Sequence, residues 1–340
     1  MKIKLSALDQ SPIPEGSTAA VALAQTARLA QELEKLGYQR FWVSEHHFTY
    51  SLAGSSPEVL IAHLGAKTER IRIGSGGVML PHYSAFKVAE NFRLLEALYP
   101  NRIDLGVGRA PGGMPIASRA LQEGKISGVD QYPEQLNDLI AYIHDELPEN
   151  HPFAGLQATP IIPTIPEIWL LGSSGESAKL AAERGAAFAF AHFINGQGTG
   201  TEAMQWYQRY FKPTRVGDQP KSMVAIFVVC AETEEEANKL ASSLDLSILL
   251  IEKGTSNRTG VPSVERALAY PYSEYDRYRM EDNRNRMIVG TPEQVKQKIL
   301  RMSEEYNTHE FMIVSIIHDF EAKLKSYRLL ADAFGLTASF

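Results

Sequence analysis

Short apolar runs alternate along the chain with longer segments whose apolar residues recur every three or four positions. IKLSAL (3–8) reads as a strand, and AAVALAQTARLAQELEKLG (19–37) as an amphipathic helix stopped by Gly37. RFWVS (40–44) predicts a second strand and SPEVLIAHLGAKT (56–68) a second helix, with Ser56 as N-cap and Pro57 in the first turn. RIRIGSGGVML (70–80) and RIDLGVG (102–108) are the third and fourth strands, followed by helices over 84–98 and about 132–146. IWLLG (168–172), AAFAFA (186–191), SMVAIFVVCA (222–231) and EFMIVS (310–315) complete the strands. Each leads into a helical segment, at 175–184, 200–211, 233–245 and 319–334.

Eight strand–helix units in one direction argue for a parallel sheet, and that number suits an α/β TIM (β/α)8 barrel. An open doubly wound sheet would carry a Gly-rich turn after its first strand, where this chain has DQSPIPEGST. A barrel of this kind needs about 250 residues, so roughly 90 of the chain belong to insertions at the C-terminal face. The longest, 247–290, mixes charges with Tyr270, Tyr272, Tyr275 and Tyr278. It suits either a lid over the barrel mouth or a solvated excursion. Residues 1–340 are expected to form one domain.

Composition narrows the function classes. A net charge of -6 without any Lys/Arg cluster gives no footprint for nucleic acid. No apolar stretch is long enough to span a membrane, and MKIKLSALDQ has no signal-peptide core, so the expectation is a soluble cytoplasmic protein. The single cysteine, Cys230, lies in an apolar run and reads as an inert buried thiol.

In such a barrel the C-terminal strand ends face the active site. Here they hold Asp9, the trio Glu45–His46–His47, the pair Gly76–Gly77, Gly108 with Arg109, Ser173–Ser174–Gly175, and His192. In LLGSSGESAKLAA a strand ends and a helix opens on two serines and a glycine, so free N–H groups and the helix dipole there suit an anion. Ser173, Ser174 and Ser177 add hydroxyl donors, and Gly175 allows close approach; ordinary capping by Ser174 accounts for the same residues. Arg109 supplies a cation with the fork geometry a phosphate prefers. Gly76–Gly77 inside a strand marks either a bulge or the close approach of a ligand.

Strand alternation sends Glu45 and His47 to one side and His46 to the other. Three protein ligands on one side, which a catalytic zinc needs, are not in view, and no H-E-x-x-H occurs. No metal is therefore expected, and proton handling by a histidine fits the trio better. GVGRAPGG has Pro111 where the third glycine of a dinucleotide loop belongs, and there is no phosphate loop of the G-x-x-x-x-G-K-[ST] kind.

LGYQRFWVSEHHF, IRIGSGGVMLPHYSAFKVAENFRLLEALYPNRIDLGVGRAPGG, IWLLGSSGESAKLAAERG and VGTPEQVKQKI together resemble the bacterial luciferase-like, flavin-dependent monooxygenases, in their alkanal-monooxygenase-like branch. The resemblance spans about residues 3–332. It implies a (β/α)8 barrel that takes reduced FMN from a separate flavin reductase and uses O2 to oxygenate a small organic substrate such as an aldehyde or ketone. It makes His46 the catalytic histidine, assisting by proton transfer or hydrogen bonding, with Glu45 and His47 shaping its pocket. Gly76–Gly77 would form a non-proline cis peptide beneath the flavin ring. Arg109, following Gly108, would hold the FMN phosphate with Ser173, Ser174, Gly175 and Ser177. It also implies a homodimer packed through helices near the second and third strands. Light-emitting members carry a cysteine where Gly108 stands and two alanines at the glycine pair. Relatives that use F420 for hydride transfer, a flavin-binding protein without turnover, and a metal-dependent barrel hydrolase are the competing expectations.

Overall fold

A computed structural model describes residues 2–109, 113–123, 129–196, 198–255 and 259–337. The strands are β1 (Lys4–Asp9), β2 (Arg40–Val43), β3 (Arg72–Ser75), β4 (Val78–Met79), β5 (Ile103–Gly108), β6 (Glu167–Gly172), β7 (Ala187–Ala191), β8 (Ser222–Cys230), β9 (Met287–Gly290) and β10 (Glu310–Val314). Every pairing between them is parallel. β10 bonds to both β1 and β8, which closes the ring. With β4 continuing β3 past Gly76–Gly77 and β9 outside the ring, the result is the eight-stranded TIM barrel.

Alternation along β8 shows how the sequence makes two cores. Met223, Ala225 and Phe227 point into the barrel with Leu8, Trp42 and Trp169. Val224, Ile226 and Val228 point out into the layer of helices. Both faces are covered, so the parallel strands read as nearly continuous apolar runs. The helices begin and end on local chemistry. Thr18 accepts from the Val21 N–H at the start of Ala19–Leu36, and Gly37 ends that helix at φ 84°, where a side chain would be strained. Thr291 and Gln294 form a reciprocal capping box on Pro292–Tyr306.

An ionic plug closes the N-terminal end. Arg40 bonds to Asp104 at 2.8 and 2.9 Å and to Glu310 at 2.8 Å, and Arg72 meets Asp104 at 2.6 Å. Trp42 donates to Asp104 at 2.8 Å and packs edge-on against Trp169 above the plug. The open space of the barrel lies beyond these two rings.

Several boundaries differ from expectation. The third strand is broken at Gly76–Gly77 into β3 and β4. The second helix is shorter, Pro57–Gly65, and the Ser56 side chain does not cap it. The helix expected over 233–245 runs from Glu234 to Glu252, capped by Thr233. Residues 247–290 are no featureless excursion: they include helices Val264–Ala269 and Glu274–Asn283, which pack with Leu246, Leu249 and Leu250, and then β9 on the end of β8. Val261 from this segment pairs with Pro14 and belongs to the same buried apolar cluster as Leu8 and Phe227. Helix Pro115–Gln122 was not among the expected elements, and none of its residues is buried.

Candidate active site

A cavity of about 620 Å³ opens at the C-terminal ends of the strands. That volume lies within the range of small-molecule sites, about 300–1,000 Å³. Glu45, His46, Gly76, Gly77, Gly108, Arg109, Ser173, Ser174 and Ser177 all line it. Gly175 begins the adjoining helix. His47 sits behind Glu45, not on the cavity wall. The lower wall is apolar, with Leu8, Leu171, Ala189, Ala191, Ala225 and Met312.

Trp42, Ser44 and His46 line the cavity at alternate positions along β2 and its extension. The Ser44 hydroxyl lies 3.0 Å from His46 Nδ1. Burial first, and then the neighbouring His47, lower the His46 pKa to about 4, so this imidazole is neutral at ordinary pH. Glu45 is turned to the other side, where its buried carboxylate accepts three hydrogen bonds. They come from His47 Nε2 at 2.7 Å, Tyr83 Oη at 2.6 Å and the Met79 N–H at 3.0 Å. Because a carboxylate only accepts, His47 carries its proton on Nε2. Burial, reinforced by the Glu45 carboxylate, pushes the Tyr83 phenol well above its ordinary value, so it stays a donor. Glu45 thereby ties the end of β2 to β4, immediately after the glycine pair.

The Gly76–Gly77 peptide is cis. A Cβ on Gly76 would come within 2.7 Å of Leu8 Cδ1, and one on Gly77 within 2.7 Å of the Gly106 carbonyl oxygen. Neither position has room for a side chain, and both glycines line the cavity as bare backbone. Across the cavity, Ser174 is the N-cap of helix Gly175–Arg184, yet its side chain makes no capping bond. Its hydroxyl and the first-turn N–H groups are left for a ligand. A Cβ at Gly175 would meet nothing within 4 Å. Among the described residues, the exposed Arg109 guanidinium has no hydrogen-bond or ion-pair partner. Asn195 donates to the Ser173 carbonyl at 3.0 Å and steadies this loop. A cradle of unused donors opposite a flat side-chain-free surface fits a phosphate-bearing planar cofactor.

Two strand-end residues named from the sequence do not join the site. Asp9 is buried in an ion pair with Lys323 at 2.5 Å and accepts from Thr26. His192 bonds to Tyr306 Oη at 2.8 Å and faces a second cavity. Each follows a residue that points inward, Leu8 and Ala191, so alternation turns both outward. Tyr83 and Ser44 were missed. Alternation within VSEHHF would have paired Ser44 with His46, whereas Tyr83 reaches Glu45 from 38 positions away and leaves no local signal. Among the described residues, no three His, Cys, Asp or Glu side chains cluster to hold a metal, and no helix is long and apolar enough to cross a membrane.

The structure is a closed (β/α)8 barrel with a cavity at the C-terminal ends of its strands, and comparison with known proteins gives the family. The luciferase-like monooxygenase profile matches residues 1–309, and the chain belongs to that family. It is 60% identical over 332 residues to the uncharacterized protein YwcH of Bacillus subtilis (strain 168), covering 98% of this chain and 99% of that one. It is 43% identical to the N-acetyl-S-alkylcysteine monooxygenase of the same organism, covering 97% and 98%. The crystal structure of apo-MsnO8 superposes with a TM-score of 0.90 at 39% identity, over 98% of this chain and 99% of that one.

Proposed function

We propose that this chain is an FMN-dependent monooxygenase that receives reduced flavin from a separate reductase and oxygenates a small, largely apolar organic molecule. The carrying observation is the meeting of an imidazole, a bare cis glycine pair and an unfilled anion cradle around one cavity. When bound, reduced FMN supplies the two electrons that split O2, one oxygen atom going to substrate and the other to water.

The chain's own residues bind and orient. Ser173, Ser174, Ser177, the first-turn N–H groups of Gly175–Arg184 and Arg109 hold the phosphate through charge-assisted bonds. Gly76–Gly77 supports the ring plane. The apolar wall of Ala189, Ala191, Ala225 and Met312 excludes water and accepts the organic part of the substrate. His46 is neutral and offers a hydrogen bond to the oxygen being transferred or to a substrate carbonyl. Glu45 and His47 act as positioning residues, holding Met79 and Tyr83 and thereby the strand that carries the glycine pair. The described residues of 247–290 are the proposed lid that admits substrate.

The chain is also proposed to pair with a second copy through helices Pro57–Gly65 and Ala85–Leu98, which leave Val59, Leu94 and Leu98 exposed. Titrating the protein with FMN, riboflavin and F420, and then following reductase-coupled oxygen uptake with aldehydes, ketones and thioethers, tests the function. Tight FMN binding with substrate-dependent uptake is expected. Preference for F420, or flavin oxidation indifferent to every substrate, overturns it.

A further inference from the structure

Ser44 and His46 leave β2 on the same face, and their side chains meet. Ser44 is only 3% exposed. Its hydroxyl lies 3.0 Å from His46 Nδ1 and has no other hydrogen-bond partner among the described residues. A neutral imidazole carries one N–H and one bare nitrogen, and a hydroxyl carries one hydrogen. Only two arrangements are possible.

If Nδ1 held the proton and donated to Ser44, the hydroxyl hydrogen would find no acceptor among the described residues. If the hydroxyl donates to a bare Nδ1, both groups are satisfied, and the imidazole hydrogen must sit on Nε2. A stranded buried donor is the costlier state. Nε2 has no partner among the described residues and is not among the sealed, unpaired side-chain atoms, so it is the ring atom left to the cavity His46 lines.

We infer that Ser44 is a positioning residue that locks His46 in the Nε2–H tautomer, so that this imidazole serves the site as a hydrogen-bond donor to oxygen and not as a base. The ligand chemistry follows. The group facing Nε2 is an acceptor without a proton to lose, such as a carbonyl or other lone-pair oxygen, and not a hydroxyl awaiting deprotonation. This part rests on the monooxygenase function proposed above, whereas the tautomer does not.

The test is a long-range proton–nitrogen correlation spectrum of the full chain labelled with 15N-histidine at neutral pH, with His46 assigned from its absence in His46→Gln. The expected spectrum shows a bare Nδ1 and a protonated Nε2. Ser44→Ala should return the ring to a mixture of tautomers, and Ser44→Thr, which keeps the hydroxyl, should restore the single form. A protonated Nδ1 in the parent protein, or a spectrum unmoved by Ser44→Ala, overturns the proposal. Where turnover is established, Ser44→Ala should lower kcat by roughly ten- to a hundredfold with little change in KM, with recovery in Ser44→Thr. Failure of turnover with an intact Nε2–H signal would count against the oxygenase function and leave the tautomer standing.

Discussion

Replacing His46 with glutamine removes an imidazole that the fold holds neutral, and the effect of pH on stability should reveal it. Burial and the adjacent His47 bring the His46 titration from 6.5 down to about 4. Between those values the unfolded chain takes up a proton at this position that the folded chain refuses. The contribution is fully present above pH 6.5 and is lost as pH falls towards 4. At about 1.36 kcal/mol per pH unit, the loss on acidification comes to about 3 kcal/mol. Burial also lowers the titrations of His144 and His192, but these remain in the variant and cancel in the difference. Urea unfolding of parent and His46→Gln proteins at a series of pH values from 4 to 7 measures it. The parent should lose about 3 kcal/mol more than the variant across that range. Parallel curves, or a His46 ring titrating near 6.5 by NMR, would refute the reasoning.

Three further outcomes are expected. Arg109→Ala should weaken FMN binding by roughly ten- to a hundredfold while leaving riboflavin, which has no phosphate, nearly unchanged in a fluorescence titration. Arg40→Met leaves Asp104 with Arg72 and Trp42, and Glu310 with Ser6 but without its buried cation, and should cost about 3 kcal/mol in chemical denaturation. Leu94→Glu combined with Leu98→Glu should yield monomers in sedimentation if the face of Ala85–Leu98 joins two copies; an unchanged mass would remove that interface.

Most ring strands were legible because they are buried on both faces and so appear as largely apolar runs between helical periods. β9 was not, since MIVG follows RNR in a charged tract and its pairing with β8 is set by tertiary contact. Arg109 and the 173–177 turn were visible because local chemistry marks a strand-to-helix junction. The Glu45–Tyr83–Met79 link was invisible, because neither spacing nor composition records a bond across two strands. Asp9 and His192 were misjudged by counting strand ends without their parity. At a barrel rim, one step along the chain moves a side chain from the mouth to the packed exterior.

The plug of Arg40, Asp104 and Glu310 makes the barrel a vessel with a single neck. Nothing can drain through its base, so arrivals and departures share one doorway. Whatever settles deepest must come first and go last, and traffic order becomes a property of architecture before any rate constant is considered.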